Sequence, residues 1–291
     1  MHIALTFDAA YLTAAAACID SLLEHHDVGR LHLWLVVADD VGADDVAAFT
    51  RQVGDRAQLG VVPAPAHLVA HLPLSTHEHR RHVSRATYLR MHLPHLLPPT
   101  VERVLHLDAD TLCLADLSPL YDIDLGGAIV AAVRDPYLPR LSDMEGVPGI
   151  EAWEDVDPQG PSLTPAVMLV DCAAWRHTGI TELAMRYSED PTHACRYMDQ
   201  DALNIALQGR WLRVGSSWGF ARTSRVESAW GGTLEGLAVL HFLGVEKPWH
   251  DDFPEGDRRE LFDRHRRSAL AAQAPPRRGT DRTRVDVSVA G

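Results

Sequence analysis

The stretch VLHLDADTL, residues 104–112, places two aspartates one residue apart directly after an apolar run. The overlapping ERVLHLD, residues 102–108, predicts a central β-strand. Side chains at positions i and i+2 of an extended segment point the same way, so the Asp108 and Asp110 carboxylates are predicted to converge. Without a bound cation, the two negative charges repel each other, and a hard divalent cation removes this unfavourable energy. The pattern therefore indicates a metal site, with a pair of turn or capping aspartates as the open alternative.

Strand and helix patterns alternate on the N-terminal side of this stretch. Strands are predicted at 2–7, 31–37 and 57–63, and helices at 11–26, 42–53 and 82–97. Pro94 is expected to interrupt the last helix. The alternation predicts an α/β protein with a mostly parallel sheet and helices on both faces. Ligands of such sheets bind at the carboxyl ends of the strands, where Asp8 and the aspartate pair fall. No glycine-rich loop follows the first strand, so a dinucleotide site is not predicted.

The second half of the chain is less regular. A loop rich in Pro, Gly and acidic residues is predicted at 135–162, of the kind that lines a site or moves. Further strands are predicted at 166–171 and 237–244, and further helices at 173–190, 198–209 and 257–273. The resulting division is a domain at 1–255, a C-terminal helix at 256–273 and a disordered tail at 274–291.

Composition limits the classes of function. The 291 residues are 46% hydrophobic, enough for an enzyme-sized core. The formal charge of 27 − 40 = −13 disfavours binding to a nucleic acid. No apolar stretch reaches the ~20 uncharged residues of a membrane helix, and the N-terminus lacks a basic leader, so a cytoplasmic location is predicted. Residues 264–291 carry seven Arg against two Asp, so weak contact with a membrane surface is the alternative to a solvated tail.

Cysteine and lysine usage is also informative. The cysteines lack CxxC spacing and are predicted to be reduced core residues; they are Cys18, Cys113, Cys172 and Cys195. Of 27 basic residues, 26 are Arg and one is Lys247, a bias typical of G+C-rich genomes such as those of actinobacteria. Lys247 is either a chance survivor of this bias or marks a site that needs a compact ammonium.

Two other kinds of site fit the sequence less well. Haloacid-dehalogenase-like phosphatases also carry two aspartates one residue apart, but with a Thr two residues after the second, whereas Thr111 follows Asp110 immediately. The segment HEHRRH, residues 77–82, offers three His with uneven spacing and no matching cluster elsewhere. A solvated polar loop explains this segment better than a zinc site does.

The segment VLHFLGVEKPWH, residues 239–250, contains a third candidate metal ligand and a cation that complement the aspartate pair. His241, at the end of an apolar strand, can complete a metal site that has two carboxylates. Gly244 lets the backbone approach a ligand, and the Lys247 ammonium can neutralise a phosphate.

Six stretches, in this order, resemble the family 8 retaining glycosyltransferases, the group that includes bacterial lipopolysaccharide galactosyl- and glucosyltransferases and glycogenin. They lie between residues 5 and 249 and read LTFDAAY, RATYLRMHLPHLLP, LHLDADTLCLADLSPLY, AVMLVDCAAWR, MDQDALN and HFLGVEKPW. The resemblance implies a GT-A fold, with a Rossmann-like, mixed but mostly parallel central sheet. It also implies a nucleotide-sugar donor, usually a UDP-sugar, and Mn²⁺ as the cofactor, with Mg²⁺ as an alternative.

The resemblance assigns roles to the residues at matching positions. The implied metal ligands are Asp108, Asp110 and His241. The implied donor-binding residues are Asp8, Tyr11, His82, Asp108, Ala109, Thr164, Gly244 and Lys247. The implied catalytic residues are Arg90, Asp199 and Gln200. Asp199 would bind hydroxyls of the donor sugar, and Gln200 would lie on the face of the anomeric carbon opposite the leaving group. A simple role for Asp199 as a helix N-cap is compatible with that assignment.

The chain departs from the family at one segment. Thr164, Pro165 and Ala166 stand where the family usually has Asn-Ala-Gly. Thr offers one amide hydrogen bond fewer, Pro removes a backbone donor, and Ala fills space that Gly leaves open. The departure bears on the choice of donor and leaves a second hypothesis open, a catalytically silent protein that binds a nucleotide-sugar.

The predicted function is the metal-dependent transfer of a hexose from the donor to an acceptor hydroxyl, with retention at the anomeric carbon. The acceptor could be a natural product or a cell-envelope glycan. No carboxylate is obviously placed as a covalent nucleophile, and Gln200 is a poor one, so a front-face substitution is the predicted mechanism.

Overall fold

A computed structural model of the chain describes residues 1–77, 80, 82–143, 146–192, 196–222 and 234–275. The strands are β1 (His2–Phe7), β2 (His32–Val37), β3 (Gln58–Pro63), β4 (Arg103–Asp108), β5 (Thr111–Cys113), β6 (Val130–Arg134), β7 (Leu163–Asp171), β8 (Trp211–Val214), β9 (Phe220–Arg222) and β10 (Val239–Phe242). The helices are α1 (Leu12–His25), α2 (Ala43–Val53), α3 (Leu89–Leu96), α4 (Ser118–Tyr121), α5 (Cys172–Thr178), α6 (Ile180–Ser188), α7 (Asp199–Leu207) and α8 (Asp257–Gln273).

Within the described residues, the central sheet has seven strands in the order β3-β2-β1-β4-β7-β6-β8. Strands β3, β2, β1 and β4 are parallel to one another, whereas β7 runs antiparallel to both of its neighbours, β4 and β6. The predicted mixed and mostly parallel sheet is confirmed. A smaller sheet, β5-β10-β9, forms beside it, and β5 enters this sheet directly after the turn that follows β4.

The central strands are buried on both faces, as parallel strands between helices must be. In β1, the side chains of Ile3 and Leu5 pack with α1 and α2, whereas Ala4 packs with the opposite layer, which contains α3, α5, α6 and α7. Apolar side chains that alternate between two cores explain why these strands read as continuous hydrophobic runs. The expected layers of helices on both faces of the sheet are therefore present.

Two predicted helices differ in detail. The helix predicted at 173–190 is broken into α5 and α6 at Gly179, whose φ of 65° suits the left-handed end of a helix. The helix predicted at 82–97 begins only at Leu89, and the interruption predicted at Pro94 is wrong, because α3 runs through this residue to Leu96. Pro94 removes only the N–H that would reach the Arg90 carbonyl, and the helix ends soon afterwards, so little is lost.

Helix α8 has the predicted bounds and packs against α1. The buried His265 ring lies 2.8 Å from the Asp20 carboxylate, which also accepts a 2.7 Å hydrogen bond from the Ser268 hydroxyl. Most of the tail predicted to be disordered, from residue 276 onward, lies outside the described residues. In the part that is described, no helix has the length and apolarity to cross a bilayer.

The cysteines agree with the prediction as far as they are described. Cys18, Cys113 and Cys172 are buried free thiols, and Cys195 lies outside the described residues. Burial raises the pKa of the Cys18 and Cys113 thiols to about 12, so both stay protonated at neutral pH.

Candidate functional site

A cleft of about 870 Å³ opens at the carboxyl edge of the central sheet. Strands β1 and β4 are parallel neighbours with Thr6 opposite Asp108, so Asp8 and Asp108 reach the same edge. The cleft is lined by all of the predicted site residues except Asp199: Asp8, Tyr11, His82, Arg90, Asp108, Ala109, Asp110, Thr164, Gln200, His241, Gly244 and Lys247. The structure therefore brings together residues that are far apart in the sequence.

Asp108, Asp110 and His241 form a compact cluster in this cleft. One potential ligand atom from each lies within 4.8 Å of the others, and His241 Nε2 is 3.3 Å from the Asp110 carboxylate and 3.8 Å from that of Asp108. Asp110 is not on the strand, as the i, i+2 argument assumed, but in the turn between β4 and β5. The cluster forms because His241 on β10 pairs with Thr111 on β5.

Lys247 is buried beside this cluster. Its Nζ lies 2.6 Å from the Asp110 carboxylate and donates a 2.7 Å hydrogen bond to the Phe242 carbonyl. Burial acts to raise the pKa of Asp110, but Lys247 and His241 together outweigh it and hold this pKa well below its usual range. Gly244, with a φ of 103°, makes the turn that carries the chain from β10 back toward the cleft.

Arg90, on α3, joins two carboxylates from distant parts of the chain. Its guanidinium lies 2.7 Å from the Asp108 carboxylate and 2.9 Å from that of Asp199, and it donates to the Pro165 carbonyl at 3.1 Å. Burial raises the pKa of both Asp108 and Asp199, while the positive charge of Arg90 opposes the shift. Asp199 therefore lies behind Arg90 rather than at the cleft surface.

The alternative role of Asp199 as the N-cap of α7 is wrong. The N-cap residue is Met198, and the carboxylate that accepts a backbone N–H here is that of Asp201, 2.7 Å from the Tyr197 nitrogen. Asp199 accepts instead from the Thr87 hydroxyl at 2.7 Å and pairs with Arg90. Met198 has a φ of 55°, which is strained for a residue with a side chain.

Gln200 contacts a residue that the sequence predictions missed. Its side-chain amide donates a 2.6 Å hydrogen bond to the Asp135 carboxylate, which also accepts the backbone N–H groups of Tyr137 and Leu138. Asp135 follows β6, which runs in the same direction as β4 because both are antiparallel to β7. The apolar run before Asp135 could have identified it, because this run is a strand and ligands are expected at the carboxyl ends of strands.

Asp8 and Tyr11 also line the cleft. The Asp8 carboxylate accepts a 3.1 Å hydrogen bond from the Ala10 N–H and a further one from the Ser84 hydroxyl. The Tyr11 ring packs edge-on against Trp249, with 5.5 Å between ring centroids. Burial raises the pKa of the Tyr11 hydroxyl, with added effects from the aspartates nearby, so it stays a neutral donor and acceptor.

The Thr164-Pro165-Ala166 segment lies in β7, which begins three residues earlier than predicted. The register between β6 and β7 shifts here, because Val133 pairs with Thr164 whereas Ala132 pairs with Met168. A proline lacks the N–H that a regular ladder requires, so an irregularity is where it fits. Thr164 lines the cleft, and the Pro165 carbonyl faces Arg90.

In the segment 77–82, the described residues line the cleft. This corrects the prediction of a loop that faces only solvent. His77, Arg80 and His82 line the cleft, whereas positions 78, 79 and 81 lie outside the described residues. Burial lowers the pKa of His82 to about 4, with a further lowering by Lys247 and Arg80. His82 is therefore neutral at pH 7.

Asn204 fixes β7 to α7. Its side chain accepts the Leu163 N–H at 2.8 Å and donates to the Leu163 and Gln200 carbonyls at 3.0 and 2.9 Å.

An Asn204→Ala variant is expected to lose about 1–3 kcal/mol of unfolding free energy, because buried backbone groups lose their partners. Urea denaturation measures this loss. Arg210→Ala, at an exposed position, serves as control, and equal stability of the two variants would contradict the prediction.

Comparisons with known proteins identify the family and the fold of the chain. A profile described as "Glycosyl transferase family 8" matches residues 2–252. General stress protein A of Bacillus subtilis is 30% identical over 195 residues, which cover 62% of this chain and 65% of that protein. Lipopolysaccharide 1,2-glucosyltransferase of Escherichia coli is 29% identical over 180 residues, 57% of this chain and 50% of that protein. The matched region thus spans between half and two thirds of these relatives.

Solved structures share the fold over nearly the whole chain. The galactosyltransferase LgtC, determined in complex with donor and acceptor sugar analogs, superposes with a TM-score of 0.77 at 23% identity, covering 95% of this chain and 98% of its own. Mouse xyloside xylosyltransferase 1 in its apo form gives a TM-score of 0.56 at 16% identity, covering 87% and 99%. The GT-A fold expected from the sequence is confirmed.

Proposed function

Because this chain belongs to glycosyl transferase family 8, we propose that it transfers a hexose from a nucleotide-sugar, a UDP-sugar in the first instance, to an acceptor hydroxyl. The observation that carries this proposal is the Asp108–Asp110–His241 cluster in a cleft that also holds Lys247 and Arg90. Carboxylates and a cation placed at one end of a large cleft suit a ligand that combines a diphosphate with a sugar.

The cluster fits a divalent metal ion. Two carboxylates and an imidazole whose Nε2 faces them offer the oxygen and nitrogen ligands that Mn²⁺ accepts, and Mg²⁺ is the alternative. Asp108, Asp110 and His241 would hold the ion. When bound, the ion would neutralise charge on the diphosphate of the donor.

The residues around the cluster have separate roles in binding the donor and in the transfer reaction. Lys247 neutralises charge that builds on the diphosphate as its bond to the sugar breaks. Arg90 holds Asp108 in place, and Asp199, which does not line the cleft, positions the Arg90 guanidinium rather than binding sugar hydroxyls directly. The Gln200 amide, fixed by Asp135, is a poor nucleophile, so we propose front-face substitution with retention, in which a departing phosphate oxygen takes the proton of the acceptor hydroxyl. A sugar adduct on Gln200 or Asp199 in intact-protein mass spectra would contradict this mechanism.

A second candidate function is a catalytically silent protein that binds a nucleotide-sugar. Thr164 and Pro165 favour it, because they stand where the resemblance predicts Asn and Ala, and Thr164 lines the cleft. The proposed acceptor is a natural product or a cell-envelope glycan of an actinobacterium, and the proposed location is the cytoplasm. We further propose that residues 1–255 form the transferase domain.

Donor hydrolysis separates the two candidate functions. The experiment measures release of the nucleoside diphosphate from a panel of UDP- and GDP-sugars, with Mn²⁺ or with a chelator. Metal-dependent release of UDP from one donor is the expected result, and it identifies the sugar. Binding of a donor without release, even in the presence of an acceptor panel, would favour the silent protein, and the absence of any binding would contradict both.

A further inference from the structure

We propose that Arg80 binds an anionic oxygen group of the sugar donor, either its diphosphate or a carboxylate on its sugar. This inference rests on the proposed function, and it concerns a residue to which the family resemblance assigns no role. Arg80 is half-buried and lines the cleft together with His82 and Lys247. Arg80 therefore borders the space that the donor would enter.

Two other permanent cations among the described residues of the cleft are paired with carboxylates of the protein. Lys247 pairs with Asp110 at 2.6 Å, and Arg90 pairs with both Asp108 and Asp199 at 2.7 and 2.9 Å. Among the described residues, by contrast, no carboxylate forms an ion pair with Arg80. Asp199 and Asp201 are near enough for the Arg80 charge to lower their pKa values, but neither forms an ion pair with it, so the guanidinium is still able to pair with an incoming anion.

Arg80 is held in place without being neutralised. Its guanidinium carbon lies 4.9 Å from the centroid of the Tyr197 ring, whose other neighbour is the His77 ring at 5.7 Å. A guanidinium over an aromatic face gains about 0.5–1 kcal/mol at a partly exposed site. It also keeps N–H groups available in its own plane, which suits recognition of phosphate or carboxylate oxygens.

The neighbouring His82 adds no positive charge to that of Arg80. Arg80 is close enough to contribute to the low pKa of His82, which is about 4, and that ring is therefore neutral at pH 7 and supplies no charge. The chain as a whole carries a formal charge of −13, which repels a nucleotide. A cation outside any ion pair adds to the attraction that Lys247 provides for an anionic donor.

Binding of four ligands tests the inference: uridine, UDP, UDP-glucose and UDP-glucuronate, measured in Mn²⁺-containing buffer. The proteins compared are the wild type, Arg80→Met, Arg80→Lys and the control Arg213→Met, which changes an exposed arginine on β8. We expect Arg80→Met to bind UDP and both UDP-sugars about tenfold more weakly, since a charge-assisted hydrogen bond is lost. Uridine binding should be unchanged, Arg80→Lys should recover part of the affinity, and Arg213→Met should behave as wild type.

The alternatives give different patterns. A carboxylate on the sugar is the source if Arg80→Met binds UDP normally but loses the affinity for UDP-glucuronate relative to UDP-glucose. The inference alone is overturned if the wild type binds these nucleotides and Arg80→Met binds all of them equally well. If the wild type binds none of the four ligands, the proposed function fails and this inference fails with it. Circular dichroism of each variant confirms that the fold is retained.

Discussion

An Asp110→Asn variant is expected to lose about 10³-fold or more of its sugar-transfer rate. Asp110 supplies one of two carboxylates in the predicted metal cluster, and it is also the ion-pair partner of Lys247. Asparagine keeps the size of the side chain but has no charge, so both the proposed cation site and the position of the Lys247 ammonium are affected. Initial rates with and without Mn²⁺, using the donor found in the panel, measure the loss.

The same substitution should also reduce stability. Asp110 and Lys247 are only 6% and 4% exposed, so Lys247 would be left as a buried charge without its carboxylate. Removal of one partner of a buried pair costs about 3–5 kcal/mol of unfolding free energy. Because the pKa of Asp110 in the folded protein lies below its usual value, the stability this residue provides is present at neutral pH and is lost as the pH falls.

A double variant separates the two effects. Asp110→Asn combined with Lys247→Met leaves no unpaired charge, so most of the lost stability should return, while the rate stays low because two residues of the proposed site are absent. Urea denaturation and rate measurements on the same preparations provide the comparison. A double variant that recovers activity together with stability would show that Asp110 acts only through folding. Asp110→Asn with a normal rate would contradict the proposed site itself.

Replacing Arg90 with methionine is expected to have the second largest effect. The substitution leaves the Asp108 and Asp199 carboxylates buried without their shared cation, at a cost of about 3–5 kcal/mol. The transfer rate should fall by about 10²-fold or more, because Asp199 and Asp108 are no longer held. Arg90→Lys should rescue little, since a single ammonium cannot reach two carboxylates and the Pro165 carbonyl in the same geometry.

The loss of stability should depend on pH in a predictable direction. Without Arg90, the pKa values of Asp108 and Asp199 rise further above those in the unfolded chain, because the charge that opposes the effect of burial at both carboxyls is lost. Protonation relieves the cost, so the difference in stability from wild type should be largest at neutral pH and shrink as the pH falls. Urea denaturation over a pH series tests this, with Arg213→Met as the control. A pH-independent difference would contradict the charge argument.

Much of the fold follows from local patterns in the sequence. The bounds predicted for β1 and α8 agree with the structure, because an apolar run of strand length and a helix-forming run of 17 residues are each unambiguous. Strands β5, β6, β8 and β9 were not predicted. β5 and β9 have only three residues each and β8 has four, too few for periodicity to identify. These strands form through pairing with partners that are distant in the chain.

The sequence by itself determined the α/β alternation, the edge of the sheet where ligands bind, and the aspartates that follow apolar strands, because each depends on residues close together in the chain. Only the tertiary structure decided how the charges are paired. Lys247 meets Asp110 across 137 residues, and Gln200 meets Asp135 across 65. The burial that sets the pKa of each carboxylate, and the positions of Arg90 and Arg80 in one cleft, likewise depend on long-range packing. No local sequence pattern encodes this pairing of charges, because a buried charge is stable only where the whole fold supplies its partner.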